Sequence, residues 1–351
     1  MSSTQTAADA AGLLGTQPLL EVTDLVTHFR SPRGLVRSVD GVSLTLERGR
    51  TLGIVGESGS GKSVLSRSIM GLVPRSTSVR SGQVIFEGRD ISELSDEGYR
   101  ELWGSEMAMV FQDPMASLNP VMRIGKQLTE SLRYHLDMDK SDANETAVQL
   151  LRAVRIPEAE RRMRAYPHEM SGGMRQRVVI AIALACGPKL LLADEPTTAL
   201  DVTVQAQVLD TIRRIQERTN SAILLITHDL GVVAGICDDV MVLYGGRVME
   251  QATAKNIFYQ ASHPYTIGLL HAVPRLDKDE ETLVAIPGSP PDMARLPKGC
   301  PFCARCTFAQ ASCRNDMPQL MVSDLNPAVL RACHKSAAVM MSVGALEVEH
   351  A

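Results

Sequence analysis

Residues 51–72 read TLGIVG, then ESGSGKS, then VLSRSIMGL: an apolar strand, a glycine-rich loop and a helix. No other segment limits the fold of this chain as strongly. Gly56, Gly61, Lys62 and Ser63 complete the pattern GxxxxGK[ST], and Ser58, Gly59 and Ser60 fill its span. Glycines let successive backbone N–H groups curl around phosphate oxygens, and the helix N-terminus adds its dipole. Lys62 supplies a point charge, and Ser63 offers a hydroxyl to Mg2+. A plain glycine turn can match the pattern, but here a strand precedes it and a helix follows, the order a nucleotide phosphate loop needs. That order calls for a parallel sheet with helices packed on its faces.

Residues 170–201, MSGGMRQRVVIAIALACGPKLLLADEPTTALD, carry a second set of groups. Asp194 closes the apolar strand LLLAD, which delivers its carboxylate to the edge where ligands bind in open α/β sheets and places it to hold Mg2+. Glu195 follows directly and is suited to polarise a water as general base, although an Asp-Glu pair alone is often only a solvated acidic pair. Ser171, Gly172 and Gly173 open another helix and present a hydroxyl and bare N–H groups at its positive end. This turn is poorly placed to serve its own chain's phosphate site.

In this order the two segments closely resemble the ATP-binding subunits of ABC transporters. The resemblance implies ATP with Mg2+ as the bound species, and a site in which the Ser-Gly-Gly turn of one subunit meets the nucleotide held by another. It implies that Gln112, in VFQDP, senses the γ-phosphate through metal and water, which makes Gln112 a Mg2+ contact beside Ser63 and Asp194. His228, after ILLIT, is expected to contact the γ-phosphate, and Asp201, in TTALD, to cross the subunit interface. Phe29 is the expected adenine-stacking residue; packing within its strand is the plain alternative.

The expected architecture is an α/β P-loop NTPase (RecA-like) core with an antiparallel β subdomain, a helical subdomain and a small Cys-rich C-terminal extension. Residues 1–18 are expected to form a disordered lead-in, 19–270 the ATPase domain with its helical subdomain at 113–165, and 271–340 the extension. A length of 351 residues suits one large domain plus an appendage. The net charge of −4 and pI near 6.1 give no sign of a nucleic-acid surface. The apolar runs fall well short of the ~20 residues that span a bilayer. The first 18 residues lack the charge and apolar core of a secretory signal.

Five of the seven cysteines, Cys300, Cys303, Cys306, Cys313 and Cys333, crowd into one C-terminal segment. Such a cluster in a chain of this kind reads as a metal site before disulfides. The segment GCPFCARC, with Cys313 and the later ACH, together with HPYTIGLL from residue 263, resembles the C-terminal extension of the oligopeptide and dipeptide importer subfamily. That resemblance implies a 4Fe-4S cluster on Cys300, Cys306, Cys313 and Cys333. Cys303 departs from the pattern and is an alternative ligand, His334 a zinc-type one, and Zn2+ the alternative metal. Reduced cysteines without metal are the plain reading.

The function implied is that of the ATP-hydrolysing subunit of a peptide importer. The expected partners are a second, paralogous ATPase, two transmembrane permeases and an extracytoplasmic peptide-binding protein, with the chain seated on the cytoplasmic face of the cell membrane. The rivals are an importer of nickel or another small solute, and a soluble ABC ATPase that transports nothing. The second usually carries two ATPase halves or a long coiled-coil insert, and neither occurs here.

Overall fold

The computed structural model describes residues 17–197, 200–272 and 285–340. Most of the expected lead-in, residues 1–16, and the first part of the expected extension, residues 273–284, lie outside the described residues. The chain opens with β1 (Leu20–Ser31), β2 (Gly34–Leu46), β3 (Thr51–Val55), α1 (Lys62–Ile69), β4 (Ser78–Phe86), β5 (Arg89–Asp90) and α2 (Asp96–Leu102). Next come β6 (Met107–Val110), α3 (Pro114–Ser117), α4 (Ile124–His135), α5 (Lys140–Ala153), α6 (Ala159–Arg162), α7 (Gly172–Leu184) and β7 (Leu190–Asp194). Then follow α8 (Val202–Thr219), β8 (Ala222–Ile226), α9 (Leu230–Ile236), β9 (Asp239–Tyr244), β10 (Arg247–Thr253), α10 (Ala254–Gln260) and α11 (Pro264–His271). The last elements are α12 (Ala311–Asn315), β11 (Met321–Val322) and β12 (Leu330–Arg331).

Two sheets form. The smaller is antiparallel with order β2-β1-β4-β5, and the larger has order β11-β12-β10-β9-β3-β8-β7-β6. From β6 to β9 the larger sheet is parallel. Strands β3, β7 and β8 are buried along their whole length, which is why they read as continuous apolar runs. Their two-residue period sorts them between cores. Leu190, Leu192, Leu224 and Ile226 face the antiparallel sheet and α1, while Leu191, Ala193, Ile223 and Leu225 pack against α4, α5, α7 and α8. Among the described residues no helix is long and apolar enough to cross a membrane.

The C-terminal segment has no separate core. After the β9–β10 turn, where Gly245 and Gly246 take positive φ values of 57° and 77°, β10 pairs with β12 through Glu250 and Arg331, and β11 adds to β12. Phe302, Cys300, Cys313 and Val329 share one apolar cluster with Tyr244, Met249 and Tyr265. Phe302 meets Tyr244 edge-on with ring centroids 5.3 Å apart. His263, buried and neutral, accepts the Tyr265 N–H at 3.1 Å and so caps α11.

Candidate nucleotide site

Strand β3 feeds the loop at residues 56–63, which ends at α1. Two of its glycines are required by space as well as by conformation. Gly56 (φ 152°) and Gly61 (φ 106°) would place a Cβ 2.2 Å from the Leu243 carbonyl oxygen and 2.0 Å from that of Ser38. The loop is therefore wedged between β9 and β2. Lys62 folds back over it, its Nζ donating to the carbonyls of Gly56 at 2.7 Å and Glu57 at 2.9 Å. Burial pulls the Lys62 amine down, and the neighbouring carboxylates of Glu195, Asp194 and Glu57 oppose that shift.

Ser63 Oγ donates to Asp194 Oδ1 at 2.8 Å, joining the start of α1 to the end of β7. Asp194 is 1% exposed, its Oδ2 has no hydrogen-bond partner, and burial pushes its carboxyl up. A buried, half-satisfied carboxylate beside a hydroxyl is a hard-oxygen pair that fits Mg2+. The Ser60 hydroxyl is also buried without a partner, inside a loop built for phosphate oxygens.

Glu195 has a left-handed backbone (φ 48°), uncommon for a non-glycine residue, and its N–H donates to the Ile226 carbonyl at 2.9 Å. Its carboxylate gathers two other strand ends. Gln112, just beyond β6, donates Nε2–H to Glu195 Oε2 at 2.8 Å, and His228, just beyond β8, places Nδ1 3.3 Å from Oε1. Sequence spacing could not show this meeting.

The remaining residues singled out in the sequence lie elsewhere. Ser171 caps α7, accepting the Met174 N–H at 3.3 Å, and Asp201 caps α8, accepting the Val204 N–H at 2.9 Å. The two caps adjoin, because a Cβ on Gly173 would sit 3.0 Å from a Val204 methyl. Gly172 has nothing within 4 Å of such an atom. Phe29 is half-buried on β1, an internal strand, opposite Val36 of β2 and Ser78 of β4.

All five C-terminal cysteines line one small pocket with Phe302, Phe308 and His334. All are free. The expected metal site is not met as the side chains stand, because among the described residues no group of three or more His, Cys, Asp or Glu is arranged to hold a metal ion. Burial pushes the thiols of Cys300 and Cys306 up to about 12 and about 11. Glu57 and Arg305, which no motif in the sequence marks, form a half-buried ion pair between the phosphate loop and the C-terminal segment. The only signal was an arginine flanked by Cys303 and Cys306.

Residues 39–198 match the family model for "ABC transporter", and residues 249–313 match that for "Oligopeptide/dipeptide transporter, C-terminal region". The oligopeptide transport ATP-binding protein OppD of Haemophilus influenzae is 53% identical over 320 residues, covering 91% of this chain and 98% of that one. The chain belongs to the ABC transporter ATP-binding family. Within the oligopeptide/dipeptide branch, the dipeptide transport ATP-binding protein DppD of Lactococcus lactis is 50% identical over 299 residues, covering 85% of this chain and 86% of that one. The fold is also that of a dimeric ATP-binding cassette solved in a post-hydrolysis state with ADP and Pi. That structure has a TM-score of 0.61 at 24% identity and covers 67% of this chain and 98% of its own.

Proposed function

We propose that this chain is the ATP-hydrolysing subunit of an importer for oligopeptides or dipeptides, coupling ATP binding and hydrolysis to peptide uptake. One observation carries the catalytic part: a strained Glu195, directly after Asp194, whose carboxylate is held by Gln112 and His228. In this reading Glu195 takes the proton of a water whose oxygen bonds to the γ-phosphorus while the bridging P–O bond breaks and ADP leaves. His228 and Gln112 orient the carboxylate. Gln112 uses its amide N–H on Glu195, which leaves its carbonyl oxygen for the metal. Ser63, Asp194 and Gln112 would hold Mg2+, which when bound neutralises charge on the phosphate oxygens. The loop of Gly56, Ser58, Gly59, Ser60, Gly61 and Lys62 holds the phosphates, and Phe29 is assigned to the adenine.

The Glu195→Gln variant tests this assignment. It should bind ATP as the parent does while turnover of the assembled complex falls by roughly 10²–10⁴-fold. Turnover near the parental rate would remove Glu195 from its role.

The exposed turn at Ser171, Gly172 and Gly173, with Asp201 beside it, is assigned to the nucleotide of a second ATPase subunit, expected to be a paralogue. Two permeases and an extracytoplasmic peptide-binding protein complete the proposed assembly, with this chain on the cytoplasmic face of the membrane. For the C-terminal pocket the proposal is a 4Fe-4S cluster on Cys300, Cys306, Cys313 and Cys333, with Cys303 able to substitute and Zn2+ as the alternative. Its support is the convergence of five free thiols on one pocket. Protein purified without oxygen would be brown with a cluster and colourless with zinc, and the absence of both metals would overturn the proposal.

A further inference from the structure

Glu57 is an acidic residue inside a loop shaped for a polyanion. Its carboxylate is neutralised from the far end of the chain, where Arg305 donates to Glu57 Oε2 at 2.5 Å and to Oε1 at 3.0 Å in a bidentate pair. The arginine is itself fixed. It also donates to the carbonyls of Pro287 (2.8 Å) and Ile286 (3.1 Å) and to the Tyr244 hydroxyl (3.2 Å), and its side chain is 5% exposed. A second grip acts on the backbone: the Glu57 N–H donates to the Tyr265 hydroxyl at 2.8 Å. The Glu57 carbonyl in turn accepts from Lys62 Nζ at 2.9 Å and from the Ser60 N–H at 3.2 Å. Side chain, N–H and carbonyl of one loop residue are thus all engaged, two of them by the C-terminal part of the chain.

An ion pair that buries its arginine is weak evidence for stability, because desolvation offsets much of its attraction. What this pair supplies is position and charge balance. It holds the loop's second residue in one place and cancels a negative charge that would otherwise repel phosphate.

We infer that Arg305 is a positioning residue for ATP binding, acting through Glu57 so that the C-terminal segment sets the affinity of the phosphate loop. This rests on the assignment of that loop to ATP.

The test uses the full chain in its assembled complex. Arg305→Gln should raise KM for ATP about tenfold, equivalent to about 1.4 kcal/mol, with kcat changed less than about twofold. Arg305→Lys, which keeps the charge but loses the fork, should lie between it and the parent. Adding Glu57→Gln to Arg305→Gln removes the stranded charge and should recover most of the lost affinity. A merely structural arginine predicts the opposite pattern: a lower melting temperature, unchanged KM and no rescue by Glu57→Gln, and that result overturns the inference. If Arg305→Gln does not fold, Arg305→Lys decides, with a parental KM counting against the inference. Lys62→Ala separates the two levels. If it binds ATP normally, the site assignment fails; if it loses ATP while the Arg305 variants keep parental KM, only the positioning role fails.

Discussion

Two glycine-bearing turns in this molecule open helices, α1 and α7, and they are built in opposite ways. The loop at residues 56–63 is enclosed: the carbonyls of Leu243 and Ser38 wall it, its lysine folds back over it, and its acidic residue is gripped from the C-terminal segment. The turn at residues 171–173 is bare, with Ser171 and Gly172 exposed. Enclosure marks a phosphate loop whose walls all come from one chain. An exposed Ser171 and Gly172 leave that helix start accessible, which is the arrangement the proposed dimer would use.

Alanine at Gly61 tests this contrast most severely. Its Cβ would collide with the Ser38 carbonyl at 2.0 Å in a left-handed backbone, so Gly61→Ala should abolish detectable ATP binding and cost several kcal/mol of stability, roughly 3 or more. Parental ATP binding in a calorimetric titration would break the picture of an enclosed loop. Gly172→Ala should behave in the reverse way. The fold should change by no more than about 0.5 kcal/mol and the isolated chain should bind ATP normally, while turnover of the assembled complex drops at least roughly tenfold. An unchanged turnover would leave the bare turn without its assigned task.

Ser171→Ala should cost about 1 kcal/mol through loss of the α7 cap, seen as a fall in melting temperature of a few degrees, with ATP affinity of the isolated chain untouched.

Acid should loosen the enclosed site from the C-terminal side. Burial lowers the His263 imidazole from its ordinary 6.5 to about 3. Below pH 6.5 the unfolded chain therefore takes up a proton that the folded chain refuses, and this residue's contribution is lost as pH falls toward 3. By pH 6 that loss is just under about 1 kcal/mol. His263→Asn, which keeps a capping oxygen, should flatten this part of the pH–stability curve, and an unaltered slope would exclude His263 as its source.

Local segments were the legible ones. The phosphate loop and the LLLAD strand each carry strand, turn and carboxylate or lysine within one short window, and β3, β7 and β8 declare their burial by unbroken apolar runs. Gln112 and His228 were named only through resemblance, because nothing in the spacing of Gln112, 83 positions from Glu195, brings the two together. The C-terminal strands were not legible at all. At two residues each, β11 and β12 have no period to read, and a cysteine-rich composition drew attention to metal chemistry and away from a sheet edge. The Glu57–Arg305 pair spans 248 positions, beyond any pattern a single sequence displays.

That separation has a consequence during synthesis. The phosphate loop leaves the ribosome early, but its clamp, Arg305, follows 248 residues later. At ordinary elongation rates of about 5–20 residues per second, the nascent chain carries Glu57 without its arginine for roughly 10–50 s. A chain released before Arg305 is made therefore lacks the side-chain grip on Glu57.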